Sequence, residues 1–208
     1  CRSLEPLKAC TAKMNGVPVT VKQEGNLCFV EVPMEQAGEV RFDFYYNGNK
    51  QTHADCLVIS NTADLIRKRV DFIRTRQQMN NPSDLCDGAY MVYDNEGDSI
   101  YLNDTPNCNP VDRDEGAERL GMGVLLAKQY LLTKDPELKQ SLLRYANFVR
   151  RKLQTDNYVT YSSVDQKNRN RGYNYMWVAE LYFQMYKVTG DKQFVTDGYK
   201  TLKSMFQQ

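Results

Sequence analysis

The residues best suited to chemistry lie between Asp112 and Gly123, where the run DRDEGAERLGMG carries a dense set of charges straight into an apolar helix. Asp112, Asp114, Glu115 and Glu118 supply carboxylates, and Arg113 and Arg119 stand among them. Carboxylates on the first turn of a helix meet the positive end of its dipole, so they can be held ionised there without a metal. Two of them across a groove can act as general acid and general base on a glycosidic bond, their separation deciding retention or inversion. The same cluster also reads as plain helix-start electrostatics, with Glu115 paired to Arg119 one turn on. Glu118 and Glu180 each sit in an otherwise apolar inner helix, where a charge must be paired, as in a structural ion pair, or face a wet interior.

A second group follows at KNRNRGYNY, residues 167–175, and continues to Trp177. Arg171, Tyr173, Asn174, Tyr175 and Trp177 place planar aromatics beside guanidinium and amide groups. That combination suits a sugar: a ring face stacks while hydroxyls or a uronate carboxylate are hydrogen-bonded. Tyr173 and Trp177, four apart, equally suit the core side of a helix start. Tyr93 and Asp94, with Tyr90, extend the same surface from a long irregular stretch.

The elements that must position these groups change character along the chain. Residues 1–59 read as strands: 17–22, 27–32, 39–46 and 51–59 are short, β-branched or aromatic, and bounded by Gly or Asn. Val40, Phe42, Phe44 and Tyr46 alternate with Glu39, Arg41, Asp43 and Tyr45, as in a half-buried antiparallel strand. Asn15-Gly16 and Asn47-Gly48 supply tight hairpin turns. A small antiparallel meander belonging to a sandwich is expected. At residues 60–64 the period shifts to 3.6, with Ser60, Asn61 and Thr62 all competent N-caps for a helix reaching about Met79. Residues 80–111 hold no sustained period, apart from a candidate hairpin through 90–93 and 99–102; a stretch of that length is usually functional or disordered, and its tyrosines argue for order.

The last part contains a repeat. YLLTKDPEL from Tyr130 matches YKVTGDKQF from Tyr186, each copy reading as helix, tight Thr-x-Asp turn and helix. Helices 115–132 and 175–188 are apolar nearly all round and must be covered on several sides, whereas 136–153 and 192–206 are two-faced surface helices. Alternating inner and outer helices make a barrel of αα-hairpins. The segments preceding the inner helices then emerge on one rim, so the long loop 81–111, the acidic turn 112–118 and residues 167–175 converge.

Composition narrows the classes. The 208 residues are 41% hydrophobic and 25% charged, ordinary for one or two globular domains. With 27 basic and 26 acidic residues well mixed, the footprint needed for a polyanionic backbone is absent, and no nucleic-acid role is expected. No apolar run approaches the roughly 20 residues of a membrane-spanning helix and no signal-peptide segment opens the sequence, so a soluble chain without a membrane span is expected. Six cysteines without a C-x-x-C pair and a single histidine, His53, disfavour a zinc cage, and no metal is expected. Cys28 and Cys56, inside strand-like runs, read as buried free thiols, while Cys86 and Cys108 flank the long irregular stretch and are candidates for a bridge.

The runs GEVRFDFYYNGNKQTHADCLVIS, TADLIRKRVDFI, DRDEGAERLGMGVLLAKQYL and YNYMWVAELYFQMYKVTGDKQF resemble bacterial six-hairpin glycosidase-type proteins of polysaccharide-degrading systems, notably of Bacteroidetes. The resemblance covers about the whole chain, with DRDEG and YNY its most specific parts. It implies an α+β multidomain chain, a β-sandwich segment over 1–59 followed by αα-hairpins of an (α/α)6 toroid over 60–208, incomplete here because six hairpins need about twelve helices and about five are present. It further implies a carbohydrate-active enzyme of the periplasm or cell surface with a polysaccharide or oligosaccharide as partner. On this basis the leading expectation is a glycoside hydrolase without cofactor, with Asp114 or Glu115, then Asp112, as catalytic acid or base, and Arg113, Arg171, Tyr173, Asn174, Tyr175, Trp177, Tyr93 and Asp94 binding sugar. The alternative is a lyase in which Tyr173 or Tyr175 takes the proton next to a uronate carboxylate that Asn174 or Arg171 neutralises. A third reading is a non-catalytic glycan-binding or scaffold protein. An incomplete toroid exposes apolar surface at its open edge, so either a homo-oligomer or the missing remainder of the toroid is expected to cover it.

Overall fold

A computed structural model describes residues 2–33, 37–59, 61–101, 116–164 and 170–207. The chain is mixed α and β and divides into two compact units, Cys1–Leu65 and Ile66–Gln208.

The first unit is built from antiparallel strands. Strands β1 (Cys10–Met14), β2 (Val17–Val19), β5 (Gly38–Tyr46) and β6 (Lys50–Val58) form one sheet in the order β2-β1-β5-β6, and β3 (Val21–Glu24) with β4 (Leu27–Val30) forms a separate pair. Both Asn-Gly turns form as expected, with Asn15 and Asn47 each at φ +47° ahead of Gly16 and Gly48 at +83° and +87°. A simple meander is not what forms. The expected strand over 17–22 breaks at Thr20, so β3 leaves the sheet to pair with β4, and β5 returns to pair with β1 from Cys10↔Tyr46 to Met14↔Phe42.

That topology also corrects the cysteines. Cys28, buried on β4, is joined to Cys10 on β1 by a disulfide with Cα atoms 6.8 Å apart, so it is not a free thiol and it ties the small pair to the sheet. Cys56 is free but exposed, because β6 is an edge strand with almost every side chain in solvent. Cys86 is buried, and Cys108 lies outside the described residues.

Helix α1 (Thr62–Phe72) is capped by Asn61, whose Oδ1 accepts from Ala63 N at 2.8 Å, and it ends in a wider π-helical turn over Ile73–Gln77. The rest of the second unit is α2 (Leu120–Thr133), α3 (Pro136–Phe148) with its own π turn Val149–Leu153, α4 (Gly172–Thr189) and α5 (Lys192–Met205). Between α1 and α2 the chain forms a two-residue hairpin, β7 (Tyr93–Asp94) against β8 (Ser99–Ile100). Among the described residues there are thus five α-helices, the last four being two αα-hairpins.

The repeat in the sequence is a repeat of hydrogen bonds. Lys134 and Gly190 both adopt the left-handed conformation and donate their N–H to Tyr130 O and Tyr186 O at 2.7 Å. Thr133 and Thr189 hydroxyls bond back to Gln129 O and Met185 O and accept from Asp135 N and Asp191 N. Those aspartates then cap the next helix, accepting from Glu137 N at 2.9 Å and Gln193 N at 2.8 Å. A side chain at positive φ is strained where glycine is not. Gly190→Lys is therefore expected to lower the urea midpoint, by about 1 kcal/mol of stability, while Lys134→Gly does not lower it; equal losses at both sites would contradict the shared geometry.

The core sits among these helices. Leu120, Leu126, Leu142, Tyr145, Phe148, Leu181, Tyr182 and Met185 are fully or almost fully buried, and α2 packs against α3 and α4. Gly123 allows that approach, since a Cβ there would lie 2.8 Å from both Leu181 Cδ1 and Tyr145 Cε1. Two buried glutamines after the π turns fasten successive outer helices. Gln78 donates to Ser141 O and Gly88 O and accepts from Ser141 Oγ, which also bonds Tyr90 Oη. Gln154 donates to Thr160 and Thr201 hydroxyls and accepts from Tyr182 Oη at 2.7 Å.

One burial expectation holds with a qualification and one changes. Helix α5 is the two-faced surface helix expected, but beside Phe194, which packs on the core, its inward face carries the buried Asp197, Gly198, Thr201 and Ser204, while Val195 and Tyr199 are exposed. The inner helices are covered on fewer sides than expected, since α4 leaves Tyr173, Met176, Trp177 and Glu180 outside at helical spacing, and α2 leaves Leu132 81% exposed.

Candidate functional site

The groups that the structure brings together lie where α2 and α4 begin. α4 has 18 residues, and Arg171 precedes it in extended conformation, so its guanidinium starts outside the helix. A short 3-10 turn, Ala117–Arg119, leads into α2 and puts Glu118 on the surface. Residues 160–164 run between the two: Ser162 O accepts from Ala117 N, and Ser162 Oγ accepts from Asn174 Nδ2, both at 2.8 Å. This serine crosslinks the two helix starts, a role that no sequence pattern signals.

Arg171 is the hub of the exposed part. Its Nη1 donates to Tyr173 Oη at 2.5 Å and lies 3.5 Å from Glu118 Oε1, and its guanidinium carbon is 5.8 Å from the Tyr173 ring centre. Tyr173 and Trp177 follow on one face, ring centres 4.7 Å apart and planes tilted by 50°. They are 37% and 41% exposed, so neither is simply core. The result is a guanidinium, a phenol and an indole accessible together, with one carboxylate beside them. Such a set can hold a carboxylate through Arg171 and a sugar face on the aromatics.

Asn174 and Tyr175 point the other way and are buried. Asn174 Oδ1 and Tyr175 Oη find no hydrogen-bond partner among the described residues, an unusual state for buried polar atoms. Asn174 therefore organises the site from beneath, through Ser162, rather than by offering its amide to solvent.

The remaining candidates that the structure describes separate from this cluster. Asp112, Arg113, Asp114 and Glu115 lie outside the described residues. Tyr93 is engaged in its own group: its hydroxyl accepts from Arg76 and donates to Asp98 Oδ1, while Phe72 packs edge-on against its ring. The Tyr93 phenol, and after it Arg76, hold the Asp98 carboxyl below its usual range. Asp94 accepts from Glu96 N at 2.9 Å and shapes the β7–β8 turn. Tyr90 is wholly buried, its phenol pushed up by burial, so it belongs to the core and not to a sugar surface. Glu180 differs from the expectation of an ion pair or a wet interior: it is exposed on the outer side of α4 and accepts from Gln184 Nε2.

No family model matches the chain, and no curated protein matches it. Among solved structures, the chain is 98% identical to a polysaccharide lyase over its whole length, with a TM-score of 0.92, and it spans 31% of that protein. It also aligns with a family 76 glycoside hydrolase from a bovine Bacteroides thetaiotaomicron strain at 11% identity and a TM-score of 0.40, covering all of this chain and 74% of that one. No helix of the described residues is long and apolar enough to cross a membrane.

Proposed function

We propose that this chain is part of a polysaccharide lyase that cleaves a uronate-containing glycan by elimination. The observation that carries the proposal is the 98% identity, over every residue, to a polysaccharide lyase. It moves the lyase alternative ahead of the hydrolase expectation. In this reading Arg171 holds the uronate carboxylate and Trp177 carries a sugar face. Tyr173, as the phenolate, takes the proton from the carbon next to the carboxylate. The electron pair of that C–H bond becomes a carbon–carbon double bond as the glycosidic C–O bond breaks. The leaving oxygen then gains a proton and the phenol returns its own to solvent.

Support for Tyr173 over Tyr175 comes from exposure and from its 2.5 Å contact with Arg171, whereas Tyr175 is buried. A periplasmic or cell-surface location accords with the Cys10–Cys28 disulfide, since such bonds persist mainly in oxidising compartments. The test is to incubate the longer lyase, of which this chain spans about a third, with soluble polyuronates while following ultraviolet absorbance and new reducing ends. Elimination raises both, because the product carries a double bond conjugated to its carboxylate. New reducing ends without absorbance would mean hydrolysis and end the lyase reading.

A further inference from the structure

Away from that cluster, the second unit carries a basic cleft that neither the resemblance nor the lyase reading uses. After the π turn closing α3, the chain makes a tight turn in which Thr155 N donates to Val159 O, Tyr158 N to Thr155 O, and Val159 N to Thr155 Oγ1. Tyr158 is forced to φ +64°, a conformation that a bulky side chain holds only when its surroundings fix it. Here they do. Its hydroxyl donates to Asp197 Oδ1 at 2.7 Å, and Gln193 Nε2 holds the same oxygen at 2.8 Å. Burial and the Asp197 carboxylate push the Tyr158 phenol up, which keeps that donor in place.

The anchored ring gathers cations. The Arg150 guanidinium carbon is 4.2 Å and Lys200 Nζ is 5.3 Å from its centre, both within cation–π range. Lys203 stands one turn after Lys200 on α5, and the two line a cleft of about 520 Å³ with Asp156, Tyr158, Ser204 and Gln207. Among the described residues neither lysine enters an ion pair, so two cations line this cleft against the one carboxylate of Asp156. The ring faces are taken up by Arg150 and Lys200 and the residue is buried, so Tyr158 is not a platform for sugar stacking. Its role is to hold charge in position.

We infer that the cleft between the 155–159 turn and the C-terminal half of α5 is a second anionic-sugar subsite, taking a carboxylate or sulfate of the glycan on Lys200 and Lys203 while Arg171 holds another. The inference rests on the lyase reading for its ligand, an acidic polysaccharide. A long polymer would span both positions, and a short oligomer would occupy only the first. Losing the cleft should therefore weaken the hold on long substrate without touching the chemical step.

The experiment uses the longer lyase, with Lys200→Gln/Lys203→Gln against the parent and against Lys8→Gln/Lys13→Gln as a charge-matched control in the first unit. Retardation in gels containing a polyuronate, a sulfated glycan or a neutral glucan reads binding, and absorbance kinetics on polymer and on short oligouronate read turnover. The expected result is reduced retardation by the acidic polymer alone, KM on polymer raised about five- to tenfold, and unchanged kcat and oligomer kinetics. Whichever of the polyuronate and the sulfated glycan loses retardation identifies the anion. Unchanged retardation in the α5 variant, an equal loss in the control, equal retardation by the neutral glucan, or a parallel loss on short oligomer would each overturn the subsite. If retardation falls as expected but the parent releases no unsaturated product from any polymer, the subsite stands and the lyase reading fails.

Discussion

Arg171→Ala should lower kcat of the longer lyase on a polyuronate by a factor of about 100 to 1,000, the usual loss when a preorganised donor to developing charge is removed. Elimination builds negative charge on the uronate carboxylate as the adjacent proton leaves, and Arg171 is the exposed cation placed beside Tyr173 Oη and Glu118. Its side chain is 37% exposed, so the effect on folding should be small next to the effect on rate. Arg171→Lys keeps the charge but loses the planar fork and should fall between the two. Steady-state kinetics with thermal melting as a control decide the matter. A variant within threefold of the parent in kcat/KM would remove Arg171 from the mechanism and leave the phenol without a reason for its position.

The second large effect is structural. Gln154→Ala should destabilise the helical unit by about 3 kcal/mol. The amide serves three partners from three elements: Thr160 in the following loop, Tyr182 on α4 and Thr201 on α5. Thr160 and Thr201 keep hydroxyl bonds to Tyr158 O and Asp197 O when the amide is gone, but Tyr182 Oη loses its acceptor inside the core, and a cavity is left. Pairing Gln154→Leu with Tyr182→Phe should recover part of the loss, because an apolar pair leaves no buried donor unmatched. Urea unfolding followed by helical circular dichroism gives the values. A loss below 1 kcal/mol for the alanine variant would show that the network adds little beyond packing.

Features whose chemistry is complete within a few adjacent residues were legible in the sequence. The two Asn-Gly turns and the Thr-x-Asp hairpins need nothing from elsewhere, and they form as read. Features that depend on distant partners were not. CTAKM lacks the alternation that marks a strand, yet it becomes the second strand of the sheet because β5 pairs with it. Cys28 looked like any buried thiol until β1 was known to lie beside it. Helix α5 reads as two-faced and is so, with Phe194 on the core, and only the partners of Asp197 and Thr201 explain the polar groups buried on that same face. Of the candidate site, Arg171, Tyr173 and Trp177 come together as an exposed group, Asn174 and Tyr175 lie beneath it, and Tyr93 and Asp94 serve their own hairpin. Ser162 and the cations around Tyr158 carried no signal, since a serine in a loop and lysines on a helix are ordinary in any sequence.

The strand order of the first unit also sets a timetable. The β3–β4 pair closes over the two residues between its strands, and it can form as soon as those residues are free of the machinery that makes or exports them. β1 has only short β2 beside it until residues 42–46 arrive to complete the centre of the sheet. Non-local pairing is slow because loop closure must come before its contacts reward it. In that interval Cys10 and Cys28 are both already present while Cys56 is still to come, so oxidation at that moment meets the native pair before Cys56 can compete for either partner. A chain oxidised late would face an additional exposed competitor on β6, so the yield of correctly bridged protein should depend on when the oxidant meets the chain as well as on how much of it is there.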